Sequence, residues 1–185
     1  SDYEIITAAK IKDYPSIFKT GTIKLEKRIK ALDLVADVKI KKNLKGILTI
    51  TIIENKTLFI NNNTNKLVLS NGKEIADQNY LGIPVLLNYV PEDIYQDFIK
   101  GFKNIDENVI KMISEIEYSQ YKNKKDEIID NERFLLRMND TNTVYINIPN
   151  INRLNYYQDI VLTKEDRGIL YLDSNSSTNT IFENY

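Results

Sequence analysis

Between Leu25 and Ile53 the spacing of apolar residues changes once, and that change restricts the fold more than any other feature of the chain. Leu25, Ile29 and Leu32 recur at intervals of four and three with Lys and Glu between them, the stripe of an amphipathic helix. From Ala36 the interval falls to two. Ala36, Val38 and Ile40 alternate with Asp37, Lys39 and Lys41. Past a turn at Asn43-Leu44-Lys45-Gly46, Leu48, Ile50 and Ile52 alternate with Thr49, Thr51 and Ile53. Alternation at every second residue puts one side of a strand in the core and the other in water. The stretch therefore reads as a helix followed by a hairpin whose polar face points away from it. Upstream, "SDYEIITAAKI" predicts another helix. Ser1 and Glu4 have capping-box spacing, and Ile5, Ala8 and Ala9 share a face. "KDYPSIFKTG", interrupted by Pro15 and Gly21, is a connector.

The rest of the chain is richer in short strands. "TLFINN" and "KLVLS" flank an Asn-rich turn, and Asn71-Gly72 predicts a type I′ turn into "KEIAD". "GIPVLLNYV" reads as an apolar strand. Pro91 opens a helix whose Ile94, Phe98 and Phe102 repeat every fourth residue. Asp106 caps the next helix, with Val109, Ile110 and Ile113 facing inward. Strands are expected at "EIEYSQY", "RFLLRM" and "TVYINI", with Asn139 to Asn142 turning between the last two. "INRLNYYQDIVL" is helical, "GILYLDS" is a strand, and the polar "NSSTNT" leads to "IFENY". The expected class is α+β: a small helix-helix-hairpin module (1–55), a larger β-meander domain with helices (56–174) and a tail (175–185).

Charge agrees with a boundary near Lys56. Residues 1–56 carry a net charge of +5 and the remainder −6, for a total of −1. That balance argues against a nucleic-acid partner, which requires a basic face to neutralise phosphates. The chain has no Cys and no His, so disulfides, thiol chemistry, the usual general base and the commonest transition-metal ligand are all excluded. No run approaches the roughly 18 apolar residues that span a bilayer.

The remaining candidates for chemistry each have a plainer explanation. Glu115 and Glu117 lie on one side of a strand, opposite Ile116 and Tyr118, which makes theirs the wet side rather than an acid–base pair. "DSNSS" from Asp173 imitates the start of a Ca²⁺ loop, yet Thr178 stands where that loop needs Gly and Asn184 where it needs Glu. Gly72 and Gly82 are isolated turn residues rather than a phosphate cradle, and Ser70 and Lys73 belong to a turn. Lys39, Lys41, Lys42 and Lys45 suit an acidic lipid surface, or else the wet face and tip of a hairpin. No catalytic, cofactor or metal site is expected.

Two features point to protein partners. Exposed strand borders offer rows of N–H and C=O groups to another chain. The final stretch also places Tyr171, Ile181, Phe182 and Tyr185 around a polar spacer, either as anchors for a partner or as a tail folded on the core.

In order, these motifs resemble the FtsQ/DivIB family of bacterial divisome proteins, whose extracytoplasmic part is a polypeptide-transport-associated (POTRA) domain followed by a β domain. The matches in the hairpin are Leu32, Val35, Val38, Ile40, Leu48, Ile50, Ile52 and Glu54. Downstream, "VLSNGKEI", "IPVL" and "RFLLRMNDTNTVYI" resemble the family's successive strand motifs. The sequence departs from the pattern in three places. The strand that opens the family's POTRA unit is missing from this stretch. Asn43-Leu44-Lys45-Gly46 replaces the usual Pro-Asn turn. Tyr171-Leu172-Asp173-Ser174 replaces a final "iDlR", so that ionic detail does not carry over.

The resemblance implies a single-pass membrane protein whose transmembrane helix lies outside this sequence. This part would be an extracytoplasmic, non-enzymatic scaffold that binds FtsL-like and FtsB/DivIC-like proteins and helps to control septal cell-wall synthesis. It further implies that a partner pairs with the last strand, here Gly168 to Ser174, through Ile169, Leu170, Tyr171, Leu172 and Asp173, with Ile181, Phe182 and Tyr185 beyond. If Leu170 and Leu172 point inward, then Ile169, Tyr171 and Asp173 point outward; the opposite parity would exchange them. The alternative is a POTRA-type chaperone or secretion module that binds extended peptides along Val38–Lys42.

Overall fold

The computed structural model describes residues 2–12, 21–76, 81–164, 166–174 and 181–185. Ser1, Asp77, the centre of the 12–21 connector and positions 175–180 of the Ca²⁺-like run lie outside them. The chain divides into two compact units, Ser1–Lys56 and Thr57–Tyr185.

In the first unit, α1 (Asp2–Ala9) and α2 (Thr22–Ile29) precede β1 (Val35–Lys42) and β2 (Leu48–Glu54), which pair antiparallel. The period change explains the packing. Val38 and Ile40 face the same way as Leu48, Ile50 and Ile52, and that face closes over Ala9, Leu25 and Ile29. Each large side chain buried in this way contributes about 2 kcal/mol. The Arg28 guanidinium donates to the Ala9 carbonyl at 3.2 Å, joining the two helices.

The second unit is built on one mixed nine-stranded sheet. Its strands are β3 (Thr57–Asn61), β4 (Lys66–Leu69), β5 (Glu74–Ala76), β6 (Val85–Leu86), β7 (Ile113–Tyr118), β10 (Arg133–Met138), β11 (Thr143–Asn147), β12 (Gly168–Tyr171) and β13 (Ile181–Asn184). Across the sheet they run β13-β12-β11-β10-β7-β6-β3-β4-β5. A separate small ribbon pairs β8 (Tyr121–Lys122) with β9 (Ile128–Asp130). Helix α3 (Glu92–Phe102) lays the predicted stripe of Ile94, Phe98 and Phe102 on the core. There Phe98 stacks on Phe134 with ring centres 4.1 Å apart. Asp106 caps the single turn α4 (Glu107–Ile110) by accepting the Asn108 N–H at 2.8 Å. A 3-10 helix (Ile148–Tyr156) and α5 (Tyr157–Val161) then carry the chain from β11 to a parallel β12.

Several expectations are corrected. "GIPVLLNYV" yields only the two-residue β6, and residues 181–184, expected in a tail, form a strand of the sheet. The turn at Asn71-Gly72 is not type I′. That type needs a positive φ at both central residues, and of the two only Gly72 has one, at 80°. Instead, the Gly72 N–H donates to the Leu69 carbonyl and the Leu69 N–H to the Lys73 carbonyl, a type I turn closed by a left-handed residue. The same bonding closes the loops 43–47, 123–127 and 138–142, with Gly46, Asp126 and Thr141 in the left-handed position. Asn43, Asn71 and Asn123 each add a side-chain acceptor for a loop N–H.

Thr141 is the misfit in this set, because a β-branched residue at a φ of 74° is strained. Replacing Thr141 with Gly is expected to stabilise the second unit by about 1 kcal/mol, seen as a rise of roughly 3 °C in its thermal unfolding midpoint.

Candidate partner-docking edge

Beneath this end of the sheet lies one buried network. Tyr157, fully buried, donates its hydroxyl proton to the Asp140 carboxylate at 2.8–2.9 Å and accepts from the Asn142 amide at 3.0 Å. Burial pushes the Tyr157 phenol well above its ordinary pKa, so it stays a neutral donor. Asn142 in turn accepts the Gly168 N–H at 2.9 Å, which fixes where β12 begins. From there β12 runs parallel to β11 in the register Val144↔Leu170. Leu170 and Leu172 are fully buried, which settles the parity: Ile169 and Tyr171 project from the opposite face.

That opposite face is aromatic and charged. The Tyr145 and Tyr171 rings stack at 5.4 Å, and the Arg133 guanidinium lies over Tyr145 at 3.7 Å and over Tyr121 at 5.1 Å. Arg133 Nε donates to Asp173 Oδ2 at 2.8 Å, with both side chains more than four-fifths buried. The backbone after Tyr171 is pinned as well. Arg153 donates to the carbonyls of Leu172 and Ser174, and Asn147 donates to that of Asp173. These bonds end the strand at Tyr171 instead of Ser174, because side chains have taken the acceptors that a continuing ladder would use. An open cleft of about 600 Å³ beside them is lined by Tyr121, Ile129, Arg133, Tyr171, Asp173 and Ile181, among others.

The main correction concerns the sheet border. Gly168–Tyr171 is not an edge strand, because β13 pairs with it antiparallel in the register Gly168↔Asn184 to Tyr171↔Ile181. Tyr185 continues the ladder by donating its N–H to the Arg167 carbonyl. The alternation of an antiparallel ladder then turns the backbone groups of Ile181 and Glu183 toward β12 and those of Phe182 and Asn184 outward. Among the described residues no strand lies beyond β13.

Side chains hold this strand in place. The Tyr171 hydroxyl donates to the Glu183 carboxylate at 3.2 Å, and the Tyr185 hydroxyl shares a 2.7 Å bond with Thr143 Oγ1. Partial burial, then that Glu183 contact, raise the Tyr171 pKa. Phe182 is half-buried with Lys164 Nζ 5.4 Å from its ring centre. Ile181 and Tyr185 are exposed.

All eight sequence-predicted positions thus meet at one end of the sheet, in unequal roles. Leu170 and Leu172 are core, Asp173 is committed to Arg133 and Tyr171 to Glu183, and Ile169 and Phe182 are partly buried; that leaves Ile181, the exposed ring of Tyr185 and the outward backbone of β13 available. Sequence reasoning missed Arg133, Tyr145, Asn147 and Arg153. An arginine opening the apolar run "RFLLRM" was the available signal, since a buried guanidinium needs an acid. Elsewhere, Glu115 and Glu117 both bind Arg137, at 3.1 and 3.0 Å, on a half-exposed surface. Among the described residues no group of three or more His, Cys, Asp or Glu is placed to hold a metal ion. No described helix is long and apolar enough to cross a membrane.

Residues 58–174 match the family model described as "Cell division protein FtsQ/DivIB, C-terminal". The chain belongs to the FtsQ/DivIB family. A related cell division protein, DivIB of Pediococcus pentosaceus, is 26% identical over 163 residues. That match takes in 85% of this FtsQ/DivIB chain and 42% of the relative, so the chain spans about two fifths of the relative's length. Among solved structures, the major extracytoplasmic domain of the trans isomer of Geobacillus stearothermophilus DivIB superposes with a TM-score of 0.44 at 19% identity. It covers 60% of this chain and 95% of that one, a likeness too loose to carry detail between them.

Proposed function

We propose that this chain is the extracytoplasmic part of a single-pass membrane protein and acts in the divisome as a scaffold without catalysis. It docks FtsL-like and FtsB/DivIC-like partners, and one of them adds a strand to the border of β13. Membership of the FtsQ/DivIB family supports the placement and the partners. The observation that carries strand addition is the open border: β13 is the outermost described strand, with the backbone groups of Phe182 and Asn184 turned outward. Main-chain bonds along such a border give affinity, and the exposed side chains of Ile181 and Tyr185 beside it select the partner.

Asn184→Pro separates docking from folding. The ring removes an N–H that faces away from β12, one of the positions at which a strand tolerates proline, together with an exposed 3.2 Å bond from the Asn184 side chain to Asp166. We expect this variant to unfold within a few degrees of the wild type yet to bind a DivIC-like ectodomain at least about tenfold more weakly in a calorimetric titration, the cost of one lost bond and a blocked border. Unchanged binding by Asn184→Pro would refute the docking edge.

A second reading has one observation behind it: β1 and β2 form a two-stranded sheet, so each has an unpaired border among the described residues. A POTRA-type module binding extended peptides there would show amide shifts at Val38–Lys42 with unrelated unfolded peptides.

A further inference from the structure

We propose that the tip of the β1–β2 hairpin is a docking surface for an anionic membrane. Leu44 is 98% exposed and Ile47 57% exposed. They are held outward by a built loop, in which the Asn43 N–H bonds the Ile47 carbonyl, the Asn43 side chain accepts the Ile47 N–H, and Gly46 supplies the left-handed residue. With Lys42, Asn43 and Lys45 they line one shallow hollow. Neither apolar side chain contributes to the core of its unit. A tip that only had to close a hairpin would be polar.

The charge around the tip specifies the occupant. Lys39, Lys41, Lys42 and Lys45 fall within seven residues, and no acid occurs between Val38 and Ile53. Because Val38 and Ile40 face the helices, Lys39 and Lys41 face away from them. Their cross-strand neighbours are Thr51 and Thr49, which offer no compensating charge. Apolar residues ringed by lysines match a bilayer interface: leucine and isoleucine enter the headgroup boundary, and flexible stems carry the ammonium groups to the phosphates. A nucleic acid is a poor match, because the tip has no arginine for bidentate contacts and no aromatic ring for stacking. Membrane docking at this tip does not depend on strand addition at β13, so either can fail alone.

The test is co-sedimentation of the whole chain with vesicles of phosphatidylcholine, alone or with about one-third phosphatidylglycerol. Binding is expected only to the anionic vesicles and should weaken by about an order of magnitude between roughly 0.05 M and 0.5 M salt. The Lys41→Gln/Lys45→Gln double variant should bind about 25-fold more weakly, at about fivefold for each lysine. Leu44→Asp should abolish binding while leaving the circular dichroism unchanged. The chain has no tryptophan, so Leu44→Trp adds a single reporter whose emission should shift blue on anionic vesicles. No binding at low salt, equal binding to neutral vesicles, or an unshifted emission despite binding would each overturn the proposal. So would equally tight binding of a soluble anionic polymer that Leu44→Asp leaves intact, since that would make the tip a site for acidic macromolecules.

Discussion

Arg133→Ala is expected to lower the unfolding midpoint of the second unit by about 10–15 °C, from a loss of about 3–5 kcal/mol. The Arg133 side chain is 11% exposed and that of Asp173 17%, so water does little to replace the missing partner. The guanidinium also fills the space above Tyr145, 3.7 Å from the ring centre. Alanine therefore removes a stacking contact and leaves a largely buried carboxylate without its cation. The pair itself is a different matter from either half of it. Arg133→Met combined with Asp173→Leu should recover most of the loss, because two apolar side chains remove the desolvation problem together. Thermal unfolding of the wild type, Arg133→Met, Asp173→Leu and the double variant gives the coupling energy directly. A loss below about 1 kcal/mol for Arg133→Ala would place the pair with ordinary surface ion pairs.

Gly168→Ala should detach β13 while leaving the rest of the sheet folded. A Cβ at this position would lie 2.0 Å from the Glu183 carbonyl oxygen, 2.8 Å from its carbon and 3.0 Å from Asn184 Cα. All three are backbone atoms, so no side chain can swing aside to make room. Overpacking of this kind costs about 1–3 kcal/mol. The cheapest relief is to release the neighbouring strand along with its Tyr171–Glu183 and Tyr185–Thr143 bonds. Hydrogen exchange should then show residues 181–185 losing protection while Phe134 and Val144 keep theirs. A shortened chain ending at Thr180, refolded at low concentration so that its bare seam stays unpaired, provides the control. With nothing left to collide with, Gly168→Ala should be close to neutral there, and an undiminished penalty would mean that the crowding lies elsewhere.

What could be read in advance depended on how local each signal was. Leu25 and Ile29 in α2, the alternation from Val38 to Ile52, and the four-residue repeat of Ile94, Phe98 and Phe102 are set by neighbours within a turn or two, and they appear where the spacing put them. Leu32 falls beyond the end of α2, and a bulge between Val35 and Asp37 leaves Ala36 exposed. Pairing is not local in that sense. Nothing about "IFENY" states that it returns across six polar residues to cover "GILYLDS", and four residues are too few to display a period. The hint was Gly168 itself, since glycine inside a strand often marks another backbone passing close by. Arg133 and Asp173 stand forty positions apart, so their pairing could not be inferred from spacing. The β8–β9 ribbon escaped notice because its strands are two and three residues long, around a loop of Asn, Lys and Asp. Turn type failed for a subtler reason. Asn-Gly suits both a two-residue and a three-residue loop, and the register of β4 with β5 decides between them.

That β12 is sealed by a segment later in the chain has a consequence for truncation. Without residues 181–184, Gly168–Tyr171 would present a bare seam at the border of the sheet. A stop codon falling between Ser174 and Ile181 would leave every molecule in that state. Such products would zip to one another through the unsealed seam and be recovered as inclusion bodies.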